Sequence, residues 1–169
     1  MEQIVQLNSK ANLSEHFVLG EFTRSKYPEV YNIPSHEAIA NLKRLCVWLE
    51  ELRKRYNDKY GVGEDPIRIN SGYRSPQLNK KIGGAAGSNH LTGCAVDIRV
   101  LGMEQLIRYA TILLDYADES RQDFDELLIE RNRYGAIWLH FAVRPFSRSA
   151  TQGDACQSKN RRKVAFIQA

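Results

Sequence analysis

The sequence predicts an α+β fold with a small antiparallel sheet flanked by helices. Apolar residues recur at helical spacing in two long segments, and they alternate or cluster in four short ones. The last two short segments follow each other directly through a polar link, which is typical of an antiparallel strand pair.

The first half of the chain is predicted to be mainly helical. Ser14 can cap a brief helix through Phe17. A loop rich in proline and polar residues, 23–34, leads into a long helix that Gly61 ends. The apolar stripe of that helix consists of Ala38, Ile39, Leu42, Leu45, Cys46, Leu49 and Leu52.

The second half is predicted to supply the strands. Alternation over 66–70 indicates a short strand, and Ser75 followed by Pro76 begins a helix of about two turns that Gly83 and Gly84 end. The remaining predicted elements are a strand over 94–100, a helix over 103–117, and strands over 124–130 and 136–143.

Composition bounds the kind of protein. The chain has 169 residues, of which 43% are hydrophobic, so we expect one folded domain over 1–146 and a basic, loosely packed tail over 147–169. No apolar run approaches the roughly 18 residues of a membrane span. The net charge of +4 is small and no aromatic residues interleave with the basic ones, so we expect no nucleic-acid partner. The start lacks a signal-peptide pattern, and we expect a cytoplasmic monomer as synthesised.

Two histidines and one aspartate stand out chemically. Asp97 falls inside an apolar strand, where an unpaired carboxylate would cost several kcal/mol, so it needs a cation or donors. Either it pairs with a local arginine such as Arg99, or it joins His90, seven residues earlier, in a metal site. His140 lies in a second apolar strand, and two histidines with one carboxylate form a zinc set that leaves one position for water.

Further residues could complete a hydrolytic site. Arg74, in a tight turn, could bind a carboxylate or stabilise an oxyanion. A carboxylate beside the metal would serve as general base. The candidates are Glu126 and Glu130 on one face of the strand and Asp125 on the other.

The motifs together resemble a known family. Ser71-Gly72-Tyr73-Arg74-Ser75, then Ser88-x-His90-x-x-Gly93-x-Ala95-x-Asp97, then Trp138-x-His140 are similar to the zinc D-alanyl-D-alanine carboxypeptidases. That family includes vancomycin-resistance dipeptidases and phage endolysins and shares its fold with the Hedgehog signalling domain. The segment from Leu13 to Phe22 also resembles the start of a small bacterial and phage subgroup. The resemblance extends over about 13–143.

The resemblance implies a role for each matching residue. One zinc ion per chain would be bound by His90, Asp97 and His140, with Arg74 stabilising the tetrahedral intermediate and Ser88 helping to hold the substrate. Many members carry the catalytic acid three residues before the last histidine, where this chain has Ile137, and the subgroup pattern moves that role to Glu130.

Two further expectations concern Asp125 and the substrate. We expect Asp125 to cap a turn or to hydrogen-bond a histidine ligand. The implied substrate is a peptidoglycan stem peptide or its precursor, cleaved by carboxypeptidase or endopeptidase action, at the cell wall only after release. The Hedgehog relative supplies the alternative, a zinc-retaining, catalytically silent binding module.

Overall fold

The structure, a computed structural model, describes residues 8–145 and 162–169 and has the α+β architecture that the sequence predicts. Its helices are α1 (Leu19–Thr23), α2 (His36–Tyr60), α3 (Pro76–Lys81) and α4 (Met103–Ser120), with a 3-10 helix at Asn89–Thr92. Its strands are β1 (Ile69–Ser71), β2 (Ala95–Arg99), β3 (Phe124–Arg131), β4 (Ile137–Val143) and β5 (Lys163–Gln168).

The five strands form one sheet in the order β1-β2-β4-β3-β5. All neighbouring pairs are antiparallel except β3 and β5, which run parallel. The predicted pairing of β3 with β4 is confirmed, and Gly135, with a φ of 88°, lies in the turn between them. β4 is the central strand of the sheet. As in any β-strand, its successive side chains point to opposite faces of the sheet.

One face of the sheet carries the hydrophobic core. α2 and α4 pack against each other and against this face, as their apolar stripes require. Trp48 of α2 lies at the centre, with its ring 4.9 Å from that of Tyr116, 6.3 Å from Phe124 and 5.1 Å from Phe141. Because the helices cover this face, polar side chains of the strands gather on the opposite one.

Two predicted segments differ from the structure. The prediction of a helix over 14–17 is wrong, because the Ser14 hydroxyl donates to Glu50 of α2 and the first helix begins at Leu19. The prediction of a loosely packed tail is wrong for the last part of the chain, because Lys163–Gln168 pair with β3. Arg162 anchors that strand through ion pairs with Asp118 and Asp123. The rest of the tail, 147–161, lies outside the described residues.

Within the part of the chain that the structure describes, no helix has the length and apolar character needed to cross a bilayer.

Candidate metal centre

Three buried side chains from separate elements meet on the open face of the sheet. His90 lies in the 3-10 helix, Asp97 in β2 and His140 in β4, with exposed fractions of 2%, 8% and 6%. Asp97 and His140 are direct partners in the register of β2 with β4. One potential ligand atom of each residue lies within 4.8 Å of the other two. The structure therefore brings together the three residues that the sequence singles out.

A sharp turn carries the chain from His90 into β2. Gly93 has a φ of 75°, in the left-handed region that favours glycine. A Cβ at this position would lie 2.5 Å from the backbone oxygen of Ala38 in α2. The glycine thus lets the chain reverse against α2 and places His90 and Asp97 side by side.

The backbone determines which nitrogen of His90 faces the centre. Nδ1 lies 2.6 Å from the carbonyl oxygen of Gly72 and donates its proton to it. The carbonyl of His90 accepts the N–H of Arg74 at 3.0 Å, which holds the turn in place. Nε2 remains 3.3 Å from Oδ1 of Asp97, with its lone pair available to a metal ion.

In His140 it is Nδ1, and not Nε2 as in His90, that faces Asp97. Nδ1 lies 2.9 Å from Oδ1 of Asp97, and Nε2 lies 3.0 Å from Oε2 of Glu126. Burial alone would lower the pKa of His140, but the hydrogen bonds to these two carboxylates raise it to about 9. A metal ion bound at Nδ1 has to displace a proton, whereas Nε2–H can keep its bond to Glu126.

This arrangement corrects one of the two expectations for Asp125, the hydrogen bond to a histidine ligand. The other, that Asp125 caps a turn, stays a prediction. Asp125 is buried, but it lies on the helix-covered side of β3, where its carboxylate is 3.8 Å from Nε of Arg144. The register of β3 with β4 shifts between Phe124 and Glu126, so Asp125 is an extra residue at a bulge. The carboxylate that contacts the histidine is that of Glu126. Sequence reasoning put Glu126 on the correct face but did not assign this contact.

Asp97 is paired with Arg74 and not with Arg99, so the alternative of an Arg99 pair is wrong. Nη2 of Arg74 donates to Oδ2 of Asp97 at 3.0 Å, and Nε donates to the hydroxyl of Ser71 at 3.1 Å. Burial would raise the pKa of Asp97, but His90 and His140 outweigh it and hold the pKa well below its usual range. Asp97 is therefore an ionised carboxylate at any physiological pH.

Glu130 lies two β3 residues beyond Leu128 on the same face and lines the same cleft as the three buried groups. Its carboxylate accepts a hydrogen bond from Nε1 of Trp138, its direct partner on β4. Burial and then the charge of Asp97 raise the pKa of Glu130. A carboxylate with a raised pKa is suited to take up and release a proton.

The cleft above these groups has a volume of about 380 Å³. Its rim includes Ser88, whose hydroxyl accepts the N–H of His90 at 3.3 Å and so caps the 3-10 helix. The lining residues are Arg74, Ala85, Gly87, Ser88, Asn89, His90, Asp97, Glu126, Leu128, Glu130 and His140. The predicted site residues thus share one cleft.

The donor atoms fit a zinc ion. Nε2 of His90 and Nδ1 of His140 lie 3.3 and 2.9 Å from Oδ1 of Asp97, and two imidazole nitrogens with one carboxylate oxygen are a zinc donor set. Catalytic zinc sites use three such protein ligands and leave the fourth position to water or substrate.

Comparisons with known proteins agree with this geometry. The family model described as Peptidase M15 matches residues 15–118, more than half of the chain. A stretch of 40 residues is 40% identical to the zinc D-Ala-D-Ala carboxypeptidase of Streptomyces albus G. This stretch is 24% of the chain, and it spans only 16% of the length of that relative. By the extent of the family match, the chain belongs to the peptidase M15 family.

Proposed function

We propose that this protein is a zinc peptidase that hydrolyses bonds next to D-amino acids in peptidoglycan stem peptides or their precursors. The observation that carries the proposal is the buried His-Asp-His donor set in a cleft that is also lined by Glu130, an acid outside that set. The family match supports zinc and peptide hydrolysis. The choice of D-amino-acid substrate follows the name of the Streptomyces relative.

The bound zinc ion, one per chain, would polarise the scissile carbonyl and lower the pKa of the attacking water. His90, Asp97 and His140 would hold it through the three atoms named above. Glu126 keeps the His140 ring oriented through Nε2. Contacts of this kind around a metal ligand typically contribute about 10- to 100-fold in metal affinity or activity.

Glu130 is the proposed general base. It would accept a proton from the attacking water and then donate it to the nitrogen of the leaving amine. Its hydrogen bond from Trp138 fixes the carboxylate, and burial keeps its pKa above that of an exposed glutamate. This acid beside the donor set favours hydrolysis over a catalytically silent module.

Arg74 has a double role in the proposal. One nitrogen, Nη2, neutralises Oδ2 of Asp97. The guanidinium also lines the cleft, where its remaining donors can stabilise negative charge that develops on the scissile carbonyl. Ser88 lies on the rim and is placed to help hold the substrate.

The test is mass spectrometry of purified murein fragments and of an acylated D-Ala-D-Ala peptide after incubation with the zinc-loaded protein. We expect cleavage that a chelator abolishes and that added zinc restores. The fragment masses identify the bond and separate carboxypeptidase from endopeptidase action. Saturable binding of these fragments without cleavage would support the silent module instead.

The decisive variant is Glu130→Gln. It should keep the fold and the zinc content but lose turnover by about a thousandfold, in the upper range of general acid–base catalysis. Asp125→Asn is the matched control, because it neutralises a buried carboxylate on the other face of the same strand. The control should lose stability and keep its turnover. If Glu130→Gln and the wild type turn over at the same rate, Glu130 is not the general base.

A further inference from the structure

One part of the cleft rim is built almost without side chains. Residues 83–88, here the glycine-rich loop, read Gly-Gly-Ala-Ala-Gly-Ser and join α3 to the 3-10 helix that carries His90. Ala85, Gly87 and Ser88 line the cleft. Such a loop can contact a ligand through peptide groups and methyl groups alone, apart from the Ser88 hydroxyl. It also lacks large side chains that could anchor it, so its position depends on residues outside it.

Asn79 of α3 supplies that anchor. Its side chain is 4% exposed, and Nδ2 donates to the carbonyl of Ala85 at 3.0 Å. The backbone carbonyl of Asn79 accepts the N–H of Gly84 at 2.8 Å. One residue thus holds the loop by a side-chain bond and a backbone bond. Gly83, with a φ of 73°, provides the reversal that brings the loop back onto Asn79.

The fit between Asn79 and the loop is tight. A Cβ at Gly84 would lie 2.0 Å from Oδ1 of Asn79, and its three nearest atoms all belong to that side chain. The φ of Gly84 lies outside the left-handed region, so the backbone itself tolerates an alanine there. Contact with Asn79 is therefore the reason that this position requires glycine.

A short series of hydrogen bonds connects the carbonyl of Ala85 to the residues of the candidate metal centre. The carbonyl of Ala85 also accepts the N–H of Ser88 at 3.1 Å. Ser88 caps the turn of His90, and the next residue, Asn89, donates to Glu126 at 3.2 Å. Among the described residues, the N–H groups of Ala86 and Gly87 make no hydrogen bond, and both residues are exposed, but only Gly87 lines the cleft.

We propose that Asn79 is a positioning residue that holds the glycine-rich loop as a main-chain subsite for an extended peptide beside the scissile bond. The open N–H group of Gly87, in the lining of the cleft, is suited to a carbonyl oxygen of the substrate, and the small side chains of the loop let the substrate backbone approach closely. This inference rests on the proposed function, because it names the part of the same cleft that binds the peptide.

The test compares Asn79→Ala with a matched control, Asn57→Ala. Asn57 is also an asparagine that holds a loop, since it donates to the carbonyl of Asp65 at 2.9 Å and accepts its N–H at 2.7 Å, but it lies outside the cleft. Asn79→Ala should raise the KM for an acylated D-Ala-D-Ala peptide about tenfold and change kcat much less. Its zinc content should stay at the wild-type level. Asn57→Ala should lower the melting temperature without changing KM.

Two readouts do not depend on turnover. Hydrogen exchange at the amides of Gly84 and Ser88 should accelerate in Asn79→Ala and not in Asn57→Ala. Gly84→Ala should also raise KM in the wild type, but it should add little in the Asn79→Ala background, because the clashing side chain is gone. Such non-additivity is the signature of two residues that act through one contact.

The outcomes separate this inference from the proposed function. An unchanged KM in Asn79→Ala, with a loss of stability like that of Asn57→Ala, overturns the positioning role. If the zinc-loaded wild type does not hydrolyse the peptide, the proposed function fails, and calorimetric titration of the same peptide takes the place of KM. Binding about tenfold weaker in Asn79→Ala then supports the subsite. Equal binding by the two proteins, or no binding by the wild type, overturns it.

Discussion

Zinc affinity should depend steeply on pH because of the surroundings of His140. Its imidazole lies between two carboxylates, 2.9 Å from Asp97 and 3.0 Å from Glu126, and its pKa is raised to about 9. A zinc ligand has to be unprotonated, so metal binding displaces one proton from this ring at any pH below 9. Asp97 contributes no such step, because its pKa is held well below the range in which zinc binding is measured.

The magnitude follows from the position of that pKa. Between pH 8 and pH 6 the ring of His140 is mostly protonated, so its proton weakens apparent zinc affinity about tenfold per pH unit, or about a hundredfold over the range. A histidine at the ordinary pKa near 6.5 would produce only about a fourfold change over the same range. The direction is a loss of zinc affinity as the pH falls.

The assay is competition with a chelator of known pH dependence, together with calorimetry in buffers of different ionisation enthalpy to count the protons released. Glu126→Gln is the informative variant, because it removes one of the carboxylates that raise the pKa of His140. Its affinity should depend less on pH, and at pH 9 it should bind zinc about tenfold more weakly, since a neutral amide orients the ring less firmly. A fourfold or smaller change in the wild type, or identical pH profiles for the two proteins, would refute the reasoning.

Three other variants test separate parts of the structure. His90→Ala should lose most of the bound zinc, which elemental analysis of the purified protein measures; full zinc occupancy would mean that the site is misassigned. Arg74→Lys should keep zinc but reduce turnover on the D-Ala-D-Ala peptide about a hundredfold, because lysine lacks the forked donors; an unchanged rate would leave Arg74 a structural role. Arg162→Ala should detach β5, seen as faster hydrogen exchange over 163–168 with the zinc content unchanged, and protected β5 amides would contradict the anchor.

Elements with strong local patterns could be predicted from the sequence. The apolar stripe of α2 and its end at Gly61 lie where the periodicity puts them, and Ser75 caps α3 through the N–H of Leu78 at 3.1 Å. Segments whose conformation depends on distant partners could not be predicted. Ser14 bonds to Glu50, 36 residues away, instead of capping a helix of its own.

β5 lacks the pattern on which strand prediction depends. It lies at the edge of the sheet, its apolar residues Val164 and Phe166 are 53% and 74% exposed, and none of its residues is fully buried. With no buried face, the strand has no contrast between apolar and polar positions. What holds it is pairing with β3 and the ion pairs of Arg162, and both are tertiary contacts.

Period-two alternation placed the carboxylates of β3 more reliably than it assigned their roles. Glu126 and Glu130 both lie on the cleft side, as alternation requires, and Asp125 lies on the other. Alternation by itself left Glu126 and Glu130 as equivalent neighbours of the histidines, and only the structure shows that Glu126 contacts His140. At the bulge near the start of β3, Asp125 is buried beside Arg144, away from the cleft that Glu126 and Glu130 line.

The register of β4 decides whether the centre exists. His90 and Asp97 lie within the residues matched by the family model, but His140 and Glu130 lie beyond them. They reach the cleft because β4 pairs Asp97 with His140, and a slip of one residue would turn His140 into the core. The neighbours Leu139 and Phe141 are fully buried against the helices and oppose that slip. The apolar positions of β4 therefore secure the donor set as much as the ligands themselves do.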